Sequence, residues 1–92
     1  LSVYLLHFSE PLGDLDNPHG YAQHYVGWTH DETVEARLKS HKAGWGAKIT
    51  AAAVESGLDL ILARVWEDGD HELELWIKRQ KQHRRFCPIC NL

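Results

Sequence analysis

Hydrophobic and polar positions along the chain change period several times, and each change marks an element. Residues 2–8, Ser-Val-Tyr-Leu-Leu-His-Phe, are a short β-branched and aromatic run that predicts a buried strand. From Ser9 to Gly20 the chain carries Pro11, Gly13, Asn17, Pro18 and Gly20, which predict a loop long enough to act as a flap or binding loop. Tyr21 to Trp28 returns as a second strand, antiparallel to the first because the loop holds no helical pattern for a crossover. Thr29 or Asp31 is then expected to cap a helix with Val34, Leu38 and His41 on one side and Arg37 close to that face. Gly44-Trp45-Gly46 stops it, and a short Ala-rich helix over 47–55 ends at Gly57. Leu58 to Trp66 predicts a third strand, and residues 67–70 predict a turn. Asp70 or His71 opens a last helix with Leu73, Trp76 and Ile77 inward, running to Gln82.

The order β-β-α-α-β-α predicts an α+β domain: a small three-stranded antiparallel sheet flanked by helices. Residues 1–82 are expected to form this domain, and residues 83–92 a basic C-terminal tail with the motif Cys87-Pro88-Ile89-Cys90. With 92 residues, 43% of them hydrophobic and 25% charged, the chain has room for one core, which excludes a multidomain enzyme or a large cofactor fold. No apolar run approaches the ~20 residues of a membrane helix. The stretch Leu1–Phe8 is too short, and lacks the positive flank, for a secretory signal. The absence of Met, residue 1 included, fits a bacterial gene with an alternative start or a removed initiator. Both Cys fall in the last six residues, so no disulfide framework spans the domain, and a reducing cytoplasm is the expected compartment.

The net charge of −3 conceals a segregation. Nine of the ten basic residues lie in two windows: Arg37, Lys39, Lys42 and Lys48, then Lys78, Arg79, Lys81, Arg84 and Arg85. Acidic residues dominate elsewhere. Such clustering is the electrostatic footprint of a phosphate-backbone binder, with Lys39, Lys42, Lys48, Lys78 and Arg79 as candidate DNA contacts, although two solvated helix surfaces would give the same pattern.

Several residues stand in a familiar order. Ser2-Val3-Tyr4 and Tyr25-Val26-Gly27 resemble the two halves of the GIY-YIG nuclease signature. Arg37 and His41 match that family's Arg-x-x-x-His helix, Gly44-x-Gly46-Ala47-Lys48 resembles the following segment, and Glu74-x-x-Ile77-Lys78 resembles the helix of its metal-binding Glu. The resemblance covers about Val3 to Lys81, in register with the expected elements. It departs from the family at Ser2, which replaces the first Gly, and in the 21-residue separation of Tyr4 and Tyr25, roughly twice the usual one. Arg37 also falls a little late, and no equivalent of the additional Asn or basic residue of some relatives is found.

The resemblance implies a DNA endonuclease that hydrolyses phosphodiester bonds with Mg²⁺ or Mn²⁺. In that reading one tyrosine is the general base, with Tyr4 favoured and Tyr25 as its positioning partner. Arg37 clamps phosphate, His41 orients a tyrosine or contacts phosphate, and Glu74 holds the metal. The chemistry is coherent: Arg offers a planar fork to phosphate oxygens, and Mg²⁺ is satisfied by one carboxylate plus water and substrate oxygens. A phenol needs a cation or proton acceptor nearby to serve as a base at neutral pH. Taken singly, the tyrosines read as sheet aromatics, Arg37 as a surface charge and His41 as a helix C-terminal histidine. Glu72 replaces Glu74 if the helix register shifts.

In the tail, His83, Cys87 and Cys90 have the spacing of half a zinc site, with a fourth ligand to come from another His or a second chain; an unligated reduced tail is the simpler reading. Arg84, Arg85 and Phe86 equally suit nucleic-acid backbone and bases. Two further readings compete with the nuclease: a non-catalytic nucleic-acid-binding module on the same fold, and a zinc-stabilised interaction domain. A chain this small is expected to lack a separate sequence-reading domain, with specificity low, directed at structure, or supplied by dimerisation or a partner protein.

Overall fold

The computed structural model describes residues 1–13, 21–80 and 83–91. Its elements are β1 (Ser2–Gly13), β2 (Tyr21–Thr29), α1 (Val34–Lys42), α2 (Lys48–Glu55), β3 (Leu60–Glu67) and α3 (His71–Arg79), followed by a 3₁₀ turn at His83–Phe86. The three strands form an antiparallel sheet in the order β2-β1-β3, the expected α+β arrangement. Among the described residues, no helix is long and apolar enough to cross a membrane.

β1 lies in the middle with both faces covered, so Val3 to Phe8 are buried without interruption. Alternation sorts them into two layers. Tyr4, Leu6 and Phe8 pack with Val34, Ala53 and Leu60 under α1 and α2. Val3 and Leu5 pack with Val26, Ile77 and Cys87 under α3 and the C-terminal segment. Burying one side chain of the Leu or Phe kind contributes about 1.5–3 kcal/mol, so these two layers supply most of the driving force.

Several boundaries and one inward-facing residue differ from expectation. β1 continues to Gly13: its register shifts after His7, and then Leu12 pairs with Ala22 and Gly13 with Tyr21. Pro11 sits within that irregular stretch, where its missing N–H leaves no ladder bond unmade. The remainder of the expected loop, 14–20, lies outside the described residues, and α3 ends at Arg79 with Gln80 as its C-cap, short of the expected Gln82. β2 runs through Thr29, so neither Thr29 nor Asp31 caps α1; Thr33 does, its Oγ1 accepting from the Ala36 N–H at 3.1 Å. In α3, capped by Asp70 Oδ1 at 2.9 Å from the Leu73 nitrogen, Leu73 and Ile77 face the sheet as expected. Trp76 does not: it is 50% exposed, because one turn-spaced pair fills the inward stripe and Trp76 falls beside it, edge-on to Phe86.

Candidate functional site

Register brings the two signature tyrosines together. Tyr4 pairs with Gly27 and Leu6 with Tyr25, so both phenols stand on the face covered by α1 and α2. A Cβ at Gly27 would lie 2.3 Å from the Tyr4 hydroxyl, so the Tyr4 ring occupies the space a side chain would fill. The rings of Tyr4 and Tyr25 are 6.3 Å apart between centroids.

The last turn of α1 delivers His41 to this pair. Its Nε2 is 2.8 Å from the Tyr4 hydroxyl and its Nδ1 2.9 Å from Thr50 Oγ1, both in the buried interior. The proton positions follow from Thr50, whose one hydroxyl hydrogen goes to the Ala47 carbonyl at 2.9 Å. Oγ1 must therefore accept from Nδ1–H, which leaves the Nε2 lone pair to accept the Tyr4 O–H. Gly46 permits the close fit: its φ is +97°, and a Cβ there would lie 2.9 Å from the imidazole.

Arg37 stands one helical turn before His41. Its positive charge acts on the Tyr4 hydroxyl, which donates to His41. Glu32 lies 3.9 Å from Nη1, and the buried Nε has no partner. An unpaired buried N–H of this kind is free to take an acceptor such as water or a phosphate oxygen.

α3 supplies Glu74, which is 8% exposed. Its oxygens lie 3.4 Å from His71 Nε2 and 3.3 Å from Lys78 Nζ, and the Lys78 ammonium sits 5.7 Å from the Tyr25 ring. The electrostatics tie these groups together. Burial raises the pKa of Tyr4, Arg37 opposes that rise, and Tyr25 and Glu74 add to it. Burial also raises Tyr25, with Glu74 adding and Arg37 opposing. His41 is lowered by burial and by the Arg37 charge. The resting site thus holds two protonated phenols beside a neutral imidazole and a charged guanidinium.

Of the five expected catalytic residues, Tyr4, Tyr25, Arg37 and His41 come together, Glu74 acts on both phenols through its charge, and of the expected DNA contacts Lys78 lies beside Glu74 and Tyr25. Lys39, Lys42, Lys48 and Arg79 are exposed. Lys42 borders a groove with Leu58 and Ile61, and Arg79 one with Asp70 and Trp76, neither lined by any of the five. Sequence reasoning missed Thr50 and the roles of Gly27 and Gly46, since nothing in a sequence reports which side chain a Thr or Gly meets.

At the opposite layer of the sheet, His7, His24, Cys87 and Cys90 form a cluster able to hold a metal ion, their ligand atoms all within 4.8 Å of one another. The nitrogen ligands come from β1 and β2. His83, expected as the third ligand, stands outside the cluster, its buried Nε2 without a hydrogen-bond partner. A signal for His7 existed: it continues the Val3-Leu5 stripe, a polar residue on an apolar face. No family model, curated protein or solved structure matches the chain.

Proposed function

We propose that the protein is a metal-dependent DNA endonuclease of the GIY-YIG type, hydrolysing phosphodiester bonds. The observation that carries this reading is the Tyr4 hydroxyl bonded to His41 Nε2, with the tautomer fixed by Thr50 and the Arg37 charge acting on the phenol. A structural tyrosine needs one hydrogen-bond partner; this one has a proton acceptor behind it and a cation beside it.

Tyr4 passes its proton to His41 Nε2 as it takes one from the attacking water. The water oxygen bonds to phosphorus, and the bond from phosphorus to the leaving deoxyribose oxygen breaks, that oxygen keeping the electron pair and taking a proton from solvent. The relay ends with His41 protonated and never needs a free phenolate, which suits a phenol whose pKa burial raises. Arg37, with its unpaired Nε, binds a non-bridging phosphate oxygen, and Tyr25 holds the water or phosphate on the other side.

A Mg²⁺ or Mn²⁺ ion would be held by Glu74, the hard oxygen donor of the site, and when bound it neutralises phosphate charge. The donor set fits an ion that takes one carboxylate and completes its shell with water and substrate oxygens. The His–Cys cluster, with soft donors, does not suit such an ion. Lys78 lies beside Glu74 and Tyr25, where it meets the backbone of a bound strand.

A non-catalytic nucleic-acid-binding module is the second reading. It is favoured by Glu74, whose two oxygens already face His71 and Lys78. Nicking of supercoiled plasmid with Mg²⁺, Mn²⁺ or EDTA separates the two, with Tyr4→Phe and Glu74→Ala as controls. Metal-dependent nicking lost in both folded variants supports the nuclease; salt-sensitive binding that persists in EDTA, with no cleavage, supports the binding module.

A further inference from the structure

One nitrogen in the second cluster has too many partners for hydrogen bonding. His7 Nδ1 lies 3.3 Å from His24 Nε2, 3.6 Å from Cys87 Sγ and 3.7 Å from Cys90 Sγ. A neutral imidazole nitrogen carries either one proton or one lone pair, so it serves one of these atoms and leaves the others unmatched. A cation at the centre serves all four donors together.

We infer that His7, His24, Cys87 and Cys90 bind one zinc ion in a closed tetrahedral site that fastens the C-terminal segment to the sheet. Four of the six edges match those of a tetrahedron, and all six are within 4.8 Å. With Zn–N of about 2.0–2.1 Å and Zn–S of about 2.3 Å, the edges of a tetrahedron are about 3.3 Å between nitrogens and about 3.5 Å between nitrogen and sulfur. The observed N–N edge is 3.3 Å, and the observed N–S edges are 3.4, 3.6 and 3.7 Å.

Donor chemistry selects the metal. Two thiolates and two imidazoles are soft to borderline ligands, and four protein ligands with no open position mark a structural rather than a catalytic zinc. Binding releases the two thiol protons, and Zn²⁺ with two thiolates sums to zero charge, as a site with His7 and Cys87 buried requires. The backbone is prepared for it. Asn91 Nδ2 donates to the Cys87 carbonyl at 2.8 Å and to the Arg84 carbonyl at 2.7 Å, holding the Cys-Pro-Ile-Cys turn in shape. Cys87 is already packed against Val3, Leu5, Val26 and Ile77, so the ion closes an interface whose apolar half is in place. The inference shares no residue with the nuclease reading and stands or falls separately.

The test uses the full wild-type chain, stripped of metal under reducing conditions and titrated with Co²⁺. The expected result is saturation at one ion per chain, with tetrahedral d–d bands and sulfur-to-cobalt charge transfer, both erased by an equivalent of Zn²⁺. An octahedral spectrum, saturation at half an ion per chain, or no binding overturns the closed site. Among variants, His7→Ala, His24→Ala and Cys90→Ser lose the bands while His83→Ala keeps them; loss in His83→Ala overturns the ligand assignment. Trypsin reads the fastening in the wild-type chain, because Arg84 and Arg85 are exposed within the segment. Zinc is expected to slow cleavage there by at least about tenfold, since proteolysis follows the population of the opened segment. Equal rates with and without zinc overturn the fastening role.

Discussion

Tyr4 donates its hydroxyl proton to Nε2 of His41 across 2.8 Å in space and 37 positions in sequence. The direction of that bond is set by Thr50 on a third element, which takes the other imidazole proton and passes its own to Ala47. A strand, a helix and the start of a second helix thus fix a single tautomer, and the consequences can be measured.

Thr50→Val keeps the shape of the side chain and removes the acceptor for His41 Nδ1–H. Leaving that buried donor unpaired costs about 1–3 kcal/mol, read by urea unfolding. Nicking is expected to fall with it, and Thr50→Ser should restore most of both. A Val variant as stable as the wild type would show that Thr50 does not orient the imidazole.

Gly27→Ala places a methyl group where the Tyr4 ring lies, 2.3 Å from its hydroxyl oxygen. Overpacking of this kind costs about 1–3 kcal/mol. In a Tyr4→Leu background the ring atoms that clash are gone, so the same substitution should cost clearly less. Thermal melts of the double-mutant cycle check this, and simple additivity would show that the two residues do not meet.

His41 has a folded pKa below the ordinary value of about 6.5. The unfolded chain therefore binds a proton first as pH falls, and the contribution to stability, complete above pH ~6.5, is lost as pH falls toward the folded pKa. Site-resolved NMR should find the His41 ring neutral at pH 6.5. Nicking should decline on the acid side as His41 charges and ceases to accept from Tyr4. A His41 ring already protonated at pH 6.5 would contradict both.

Arg37→Lys preserves charge and discards the fork. Because the buried Nε has no protein partner to lose, we expect a fall in kcat of about 10²-fold with little change in unfolding free energy. Full activity in the Lys variant would reduce Arg37 to a simple counter-charge.

Asp70→Ala removes the side-chain cap of α3 and should destabilise the chain by about 1 kcal/mol in urea unfolding. Asp70→Ser should recover most of that loss.

The chain's local pattern carries its elements. The run Val3–Phe8 and the glycines at 44, 46 and 57 are enough to predict strands and helix ends, because backbone preference and burial act over a few residues. The order of Tyr4, Tyr25, Arg37, His41 and Glu74 also names a site, and antiparallel pairing of consecutive strands brings the tyrosines to one face. Local pattern fails where a long-range partner chooses. Trp76 matches the helical period as well as Ile77 does, and only the narrow stripe of sheet beneath α3 decides between them. Thr33 rather than Thr29 caps α1 because β1 holds β2 in its ladder through Thr29.

The same division separates the two clusters. The sequence by itself determined the α+β order and the presence of a Cys-x-x-Cys pair. The tertiary structure alone decided that Thr50 sets the proton on His41, and that His7 and His24 rather than His83 meet the cysteines. The reason is physical: spacing along a chain fixes which residues share one strand or helix, whereas a metal cage or a proton relay needs atoms converging from several elements. Such convergence depends on register and packing that no single segment encodes.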